Sequence, residues 1–419
     1  MAADPETTGQ VRAAADTAAR AAYGRLIAFL SARNRDVAAA EDALADAFVA
    51  ALETWPGRGI PDRPEAWLLA VARRRLVDRA RRDTVAETAT PDLVLQIEEA
   101  EMAANAEDGA FPDERLKLLF ICAHPAIAAP VRTPLMLQTV FGFDAARIAS
   151  AFLTAPAAMG QRLVRAKAKI RATRPGFAEP GRPDWPDRLG AVLSAIYAAY
   201  TAGWDDPAGL DGPRSGFARE AIALGRMTAA LLPDEGETQG LLALMLHCEA
   251  RKPARRNATG DFVPLSQQDT GLWDPSLIAE AETALRRALA CGPPGRFGLE
   301  AAIQSAHAVR RVRGKADWDA IVRLYDRLIA VTPALGAQIA RAAALGESRS
   351  AEAGLLALDQ IDPDRVKGHQ PWWATRAHLL HETGRLAEAG DAYRRAAGLT
   401  TDPAVRNWLL ARGRDALSP

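Results

Sequence analysis

The chain has 419 residues with 52 basic and 52 acidic side chains, so its formal net charge is zero and no general attraction to polyanions operates. That length exceeds one ordinary core, and two or three domains are expected. Abundant alanine with only 6% aromatic residues disfavours sheet, so the expected fold class is all-α. No apolar run approaches the roughly 18–20 residues of a membrane span, and MAADPETTGQ lacks the basic and apolar regions of a secretory signal. The expectation is therefore a soluble cytoplasmic protein with no membrane partner. Cys122, Cys248 and Cys291 are an odd, scattered set that suggests neither a disulfide framework nor a metal site, and the Cys122–His124 pair reads as core packing.

The first domain is expected over 11–86, as three helices with a Pro/Gly-rich break, WPGRGIPDRP, before the third. Pro64 suits a first helical turn and Asp62 a cap, so Pro64 to Arg82, PEAWLLAVARRRLVDRARR, reads as one continuous helix. On a helical wheel Leu68, Leu69, Ala72, Leu76 and Ala80 share one side, with Trp67, Arg74, Asp78 and Arg81 roughly opposite. Such a face can hold phosphates and stack on an unpaired base, or it can be a solvated face with Trp67 folded inward. The wheel alone does not choose between these.

From Glu87 to Glu114 there are nine acidic residues and no basic one, which predicts an acidic tether over 87–112. The next domain, 113–176, contains AARIASAF, a break at Leu153 to Pro156 and a second basic segment, AAMGQRLVRAKAKIRATR. Two helices joined by such a turn match a helix-turn-helix, with Asp144 capping the first. In the second, Met159, Leu163, Ala166 and Ile170 make a buried stripe and leave Gln161, Arg162, Arg165 and Lys169 outward. From Gly160 to Arg174 there are six basic residues and no acidic one, the pattern of a helix that reads duplex DNA.

Beyond a Pro-rich linker, residues 185–419 read as helical stretches with recurring endings. Ala281, Leu285, Ala288 and Pro293 share their spacing with Ile321, Tyr325, Leu328 and Pro333, and Trp373, Ala377, Leu380, Gly384, Ala389, Tyr393 and Ala396 fit a tetratricopeptide-type repeat. The intervals are irregular, so a degenerate array of helical hairpins is expected, with a surface suited to a protein or peptide partner. Within it RKPARR, followed by Asp261, Asp269 and Asp274, reads as an Arg/Asp network ordering a long loop, or as a further DNA patch.

In this order EDALADAF, PEAWLLAVARRRLVDRARR, an acidic linker and RIASAFLTAPAAMGQRLVRAKAKIR resemble the two conserved regions of a bacterial extracytoplasmic-function sigma factor of the sigma-70 superfamily. FPDERLKLLFICAHPAI, GLLALMLHCEARKPARR and the terminal repeat are similar to the subgroup with a long tetratricopeptide-like C-terminal extension. The resemblance implies core RNA polymerase and promoter DNA as partners and no cofactor. It implies that the helix carrying Asp42, Asp46 and Phe48 docks on core polymerase, although Ala45 stands where glutamine is usual. It implies that Trp67, Arg73, Arg74, Asp78, Arg81 and Arg82 hold the melted promoter strand, with Arg74 in place of a common asparagine. It implies that Gln161, Arg162, Arg165 and Lys169 read an upstream duplex element, with Gly160 where lysine is common.

An enzyme is the first rival, and G-x-G-x-x-G, the phosphate-loop motif and H-E-x-x-H are all missing from the sequence. The closer rival is a one-component DNA-binding regulator that senses a ligand or partner through its repeats. The core-docking and strand-holding helices of the first domain separate the two, since a simple regulator needs neither.

Overall fold

Apolar side chains recur at helical spacing in many of the long segments, and the computed structural model is all-α, as expected. It describes residues 5–34, 36–83, 113–172, 180–204 and 215–416, so the acidic stretch 87–112 lies outside the described residues. Among the described residues the only β feature is an isolated bridge between Arg256 and Phe262. The chain forms two compact units, Met1–Gly203 with Pro213–Leu231, and Trp204–Gly212 with Leu232–Pro419.

In the first unit α1 (Pro5–Asn34), α2 (Val37–Arg58) and α3 (Pro64–Asp83) pack on one another. Leu26, Ile27 and Leu30 of α1, Leu44 of α2 and Leu68 of α3 are all buried where these helices pack. Asp36 caps α2 by accepting the Ala39 N–H at 3.1 Å. The first helical bond of α3 runs from the Trp67 N–H to the Arg63 carbonyl, so Arg63, not Asp62, stands at the cap position.

Four further helices follow: α4 (Glu114–Cys122), α5 (Ala129–Thr139), α6 (Ala145–Ala151) and α7 (Pro156–Ala172). Alpha-1 lies directly on the turn after α5, because Gly24 has no side chain: a Cβ there would collide with the Val140 carbonyl oxygen. Cys122 is fully buried against the Thr139 hydroxyl at 3.7 Å, and burial pushes its thiol up to about 12. His124 turns its Nδ1 to the Ala126 N–H at 3.0 Å, so both residues serve the local fold.

Two more helices, α8 (Trp185–Trp204) and α9 (Ser215–Leu231), complete this unit, although the sequence reading assigned them to the extension. Trp185 packs on Phe120 with ring centroids 5.7 Å apart, and the buried Arg188 donates to the Phe120 carbonyl at 3.1 Å. Arg115 pairs with both Asp113 and Glu220. The Arg147 guanidinium lies 4.2 Å from the Phe143 ring and 4.8 Å from that of Phe217.

The second unit begins with α10 (Gly236–Ala250), buried almost throughout, between α11 (Pro275–Ala290) and α12 (Arg296–Ala308). Glu237 caps α12 by accepting from the Phe297 and Gly298 N–H groups at 3.0 Å each. Then α13 (Trp318–Val331), α14 (Leu335–Ser348), α15 (Ala351–Asp359), α16 (Gln370–Glu382), α17 (Leu386–Gly398) and α18 (Pro403–Asp415) each pack on the next. Ala281, Leu285, Ala288, Ile321, Leu328, Ala377, Leu380, Ala389, Tyr393 and Ala396 are buried, whereas Tyr325 and Trp373 are half-buried and Pro293, Pro333 and Gly384 are exposed. Gly384, at φ 74°, turns the chain between α16 and α17, a backbone conformation that favours glycine.

The loop from Arg251 to Pro275 is held by its arginines and its aspartates separately: among the described residues the arginines reach partners outside the loop, and Asp261, Asp269 and Asp274 bond within a few residues of themselves. Arg255 donates to the Trp204 carbonyl at 2.7 Å with its guanidinium 4.3 Å from the Trp204 ring. Arg256 pairs with Asp402, the cap of α18, at 2.5 Å. Asp261 ties Asn257 and Thr259, and Asp274 caps α11 through the Ser276 N–H at 2.8 Å. Arg256→Ala should therefore cost about 2 kcal/mol of stability with no DNA present, read as a shift of the urea midpoint. An unchanged midpoint would return this loop to the DNA-patch reading.

Candidate nucleic-acid interface

Alpha-2 is two-faced for a simple periodic reason. Val37, Ala40, Leu44, Ala47, Ala51 and Trp55 point into the core at helical spacing, which leaves Asp42, Ala45, Asp46, Val49 and Leu52 outward. Phe48 is half-buried at the margin. Val49 and Leu52 are 54% and 44% exposed beside the two aspartates, a mixed acidic and apolar stripe of the kind that docks another helix. The sequence reading passed over these two; the signal was their place three and six residues after Asp46, on the same side of the helix.

Between α2 and α3 runs a groove of about 400 Å³ whose charged walls are Asp42, Asp46, Arg75 and Arg79. Arg79 donates to Asp42 at 3.0 Å across its mouth, with both side chains largely in solvent. On α3, Leu68 and Ala72 are fully buried and Leu69 and Leu76 half-buried, the side expected to face inward. Trp67 is half-buried, its ring edge-on to the buried Trp55 with centroids 5.5 Å apart. It forms a wall of the core, with part of its surface outside. The Arg73 guanidinium lies 4.4 Å from the Phe29 ring of α1 and is half-buried there. Arg74, Arg75 and Arg79 are exposed and Asp78 is half-buried, while the side chains of Arg81 and Arg82 lie outside the described residues.

The second basic face is built by α6 and α7. Asp144 accepts the Arg147 N–H at 2.7 Å and starts α6, whose Ile148 and Ala149 are buried. The turn into α7 passes through Leu153, at φ 50° and 96% exposed, a left-handed conformation that costs a leucine about 1 kcal/mol. Leu153→Gly should accordingly raise the unfolding free energy by about 0.5–1 kcal/mol, read as a higher urea midpoint, since no packing is lost. In α7 Met159, Leu163, Ala166 and Ile170 are buried, and Gln161, Arg162, Arg165 and Lys169 are exposed. Val164 adds a 65% exposed apolar side chain between Gln161 and Arg165 on that outward face. An exposed run of amide, guanidinium and methyl groups on one helix can meet the phosphates, base edges and thymine methyls of a major groove.

Lys167, counted in sequence among the basic residues of this helix, is spent differently. Its ammonium pairs with Glu41 of α2, with the side chains only 11% and 17% exposed. Desolvation raises the Glu41 carboxyl above its usual range, and Lys167 partly offsets that rise. The tyrosine at 23 is likewise pushed up, first by burial and then by Glu41. The two basic faces thus belong to one unit, held in part by this pair. Among the described residues no group of three metal-ligating side chains comes together, and no helix is long and apolar enough to cross a membrane.

Comparison with known proteins bears on this unit directly. Residues 19–85 match sigma-70 region 2, and residues 188–289 match a family of unknown function (DUF6596). The chain is 35% identical over 399 residues to the uncharacterized protein R00370 of Rhizobium meliloti (strain 1021), covering 94% of this chain and 93% of the other. No solved structure matches it.

Proposed function

The chain belongs to one family with the Rhizobium meliloti protein and carries a sigma-70 region 2, which points to a sigma-factor-like role in transcription initiation; on that premise we propose an alternative sigma factor of the extracytoplasmic-function type. The observation that carries this reading is the second cationic helix. A chain whose region 2 is followed by a helix-turn-helix with Gln161, Arg162, Arg165 and Lys169 outward has both parts needed for a two-element promoter.

In this reading Asp42 and Asp46, with Val49 and Leu52 beside them, dock on core RNA polymerase, and Phe48 supports that helix from its margin. Arg74, with Arg81, Arg82, Asp78 and the outer surface of Trp67, holds the melted strand, while Arg73 positions α3 on α1 through Phe29. Strand capture needs no nucleotide hydrolysis. Stacking and phosphate contacts offset the few kcal/mol needed to open easily unstacked steps. Alpha-7 reads the upstream element as duplex. The segment 87–112 tethers the regions at 11–86 and 113–176, and the helical hairpins of the extension, of tetratricopeptide-like type, form a regulatory or assembly module for a protein or peptide partner.

The test is transcription by purified core RNA polymerase on a pool of genomic promoter fragments, with and without the full-length protein. Discrete new RNA starts sharing two spaced upstream elements are the expected result. No new starts, together with no stable complex with core, would replace this reading with a one-component regulator.

A further inference from the structure

We propose that the exposed turn Arg311–Lys315 of the second unit is a third nucleic-acid contact, which binds the phosphate backbone of duplex DNA. The sequence there is Arg310-Arg311-Val312-Arg313-Gly314-Lys315. Residues 311–315 are all exposed, Val312 to 86%, and Arg311, Arg313 and Lys315 make no hydrogen bond or ion pair among the described residues.

The turn is built from beneath. Arg310 is its anchor: the guanidinium lies 5.1 Å from the ring of the buried Trp273 and donates to the Gln268 carbonyl at 3.1 Å. The Val312 and Arg313 N–H groups donate to the Val309 carbonyl at 3.0 and 2.9 Å, and the Gly314 N–H donates to Arg310 at 2.9 Å. Gly314 closes the turn at φ 73°, which a side chain would resist. The neighbouring acids are committed elsewhere. Asp317 caps α13 through the Ala320 N–H at 2.9 Å, Asp319 accepts from the Ser348 hydroxyl, and Asp269 accepts the Gly271 N–H at 2.8 Å. Three cations on a fixed backbone, with no direct ion pair among the described residues, are arranged for an anion outside the chain.

The same features favour DNA over an acidic protein surface. The apolar component is small, Val312 with the 53% exposed Leu272 of the supporting loop. A stable protein interface needs roughly 1,000 Å² or more and a well-packed apolar centre, whereas phosphates need only point charges at the surface. The choice of duplex DNA rests on the sigma-factor reading; the polyanion contact itself does not.

The experiment uses the full-length protein and a mixed-sequence duplex of about 40 base pairs, with affinity followed by fluorescence anisotropy across a salt series. The variant R311Q/R313Q/K315Q is compared with wild type and with R311K/R313K. All are checked for an unchanged thermal midpoint, which their exposure predicts. Each lost phosphate contact flattens the slope of log affinity against log salt by about 0.9, so the triple variant should lose up to about 2.7 of slope. It should also bind at least tenfold more weakly in dilute salt, while the lysine variant keeps the wild-type slope. An unchanged slope in the triple variant overturns the proposal. So does weaker capture of core polymerase with unaltered duplex binding, which would identify an acidic protein partner. If the slope falls while the transcription assay gives no new starts, the contact stands and the sigma-factor reading fails. If new starts appear and the slope does not change, the reverse holds.

Discussion

Lys167→Ala lowers the unfolding free energy of the first unit by about 3 kcal/mol at neutral pH, the largest single loss expected from any surface-charged residue of the basic helices. The cause lies in the partner, since the substitution leaves the Glu41 carboxylate buried without its counter-charge. The pH dependence follows from the same geometry. Burial raises the folded-state pKa of Glu41 above its unfolded value, so protonation favours the folded chain. Stability contributed in this way is present below the unfolded pKa and is lost as pH rises through the folded one. Removing Lys167 takes away a contact that lowers this pKa, so the window widens upward. The deficit of Lys167→Ala should thus shrink steadily on acidification toward pH 4. The double variant E41M/K167M should regain most of the loss at neutral pH, because two apolar side chains of similar length carry no desolvation cost. Urea midpoints at several pH values provide the check, and an equal deficit at acid and neutral pH would contradict a charge-based cause.

The second large effect concerns recognition. Arg165→Ala should weaken binding to the upstream promoter duplex by about tenfold or more, equivalent to about 1–3 kcal/mol, and leave the thermal midpoint unchanged. Arg165 is exposed, and its one hydrogen bond among the described residues is a long contact, 3.3 Å, from its Nε to the Gln161 carbonyl in its own helix. Binding to unrelated duplex should fall much less, and that difference separates base reading from phosphate attraction. The converse substitution is Gly160→Lys. A Cβ at Gly160 meets nothing within 4 Å, so the packing does not require glycine there. The lysine should strengthen helix α7 by about 1 kcal/mol and steepen the salt slope of duplex binding by about 0.9. A slope unaltered by the lysine would mean that this turn of the helix does not reach a phosphate.

Periodicity made much of this legible. The inward stripe Met159, Leu163, Ala166 and Ile170 follows from 3.6-residue spacing alone, and the structure buries all four. For the loop at 251–275 the sequence suggested that its charges order it but not their partners: Arg255 and Arg256 reach Trp204 and Asp402, and Asp261, Asp269 and Asp274 cap or tie residues beside them. Trp67 was not legible, since a wheel gives an angle and says nothing of Trp55 waiting on the neighbouring helix. The partner of Lys167 was illegible for a deeper reason. Sequence shows it beside five other basic residues, but its partner Glu41 lies 126 positions away on another helix. Arg73 is similar: its place in the arginine run suggests solvent, and Phe29 of α1 takes it. Non-local pairing is the information a single sequence carries least.

The segment that matches a family of unknown function starts at Arg188, inside a helix whose first turns complete the core of the preceding unit, and ends in α11 of the following one. Its limits as an inherited block are therefore not the limits of a folding block. An exchange between relatives that joined one chain's residues 1–184 to another's extension would bring in a foreign Trp185 and Arg188. Phe120 would lose its fitted neighbour and its carbonyl its fitted donor. Lineages that recombine there should be rare, and the two parts should descend together, with drift at position 120 answered by drift at positions 185 and 188. The joint restrains the ancestry of the protein as well as its shape.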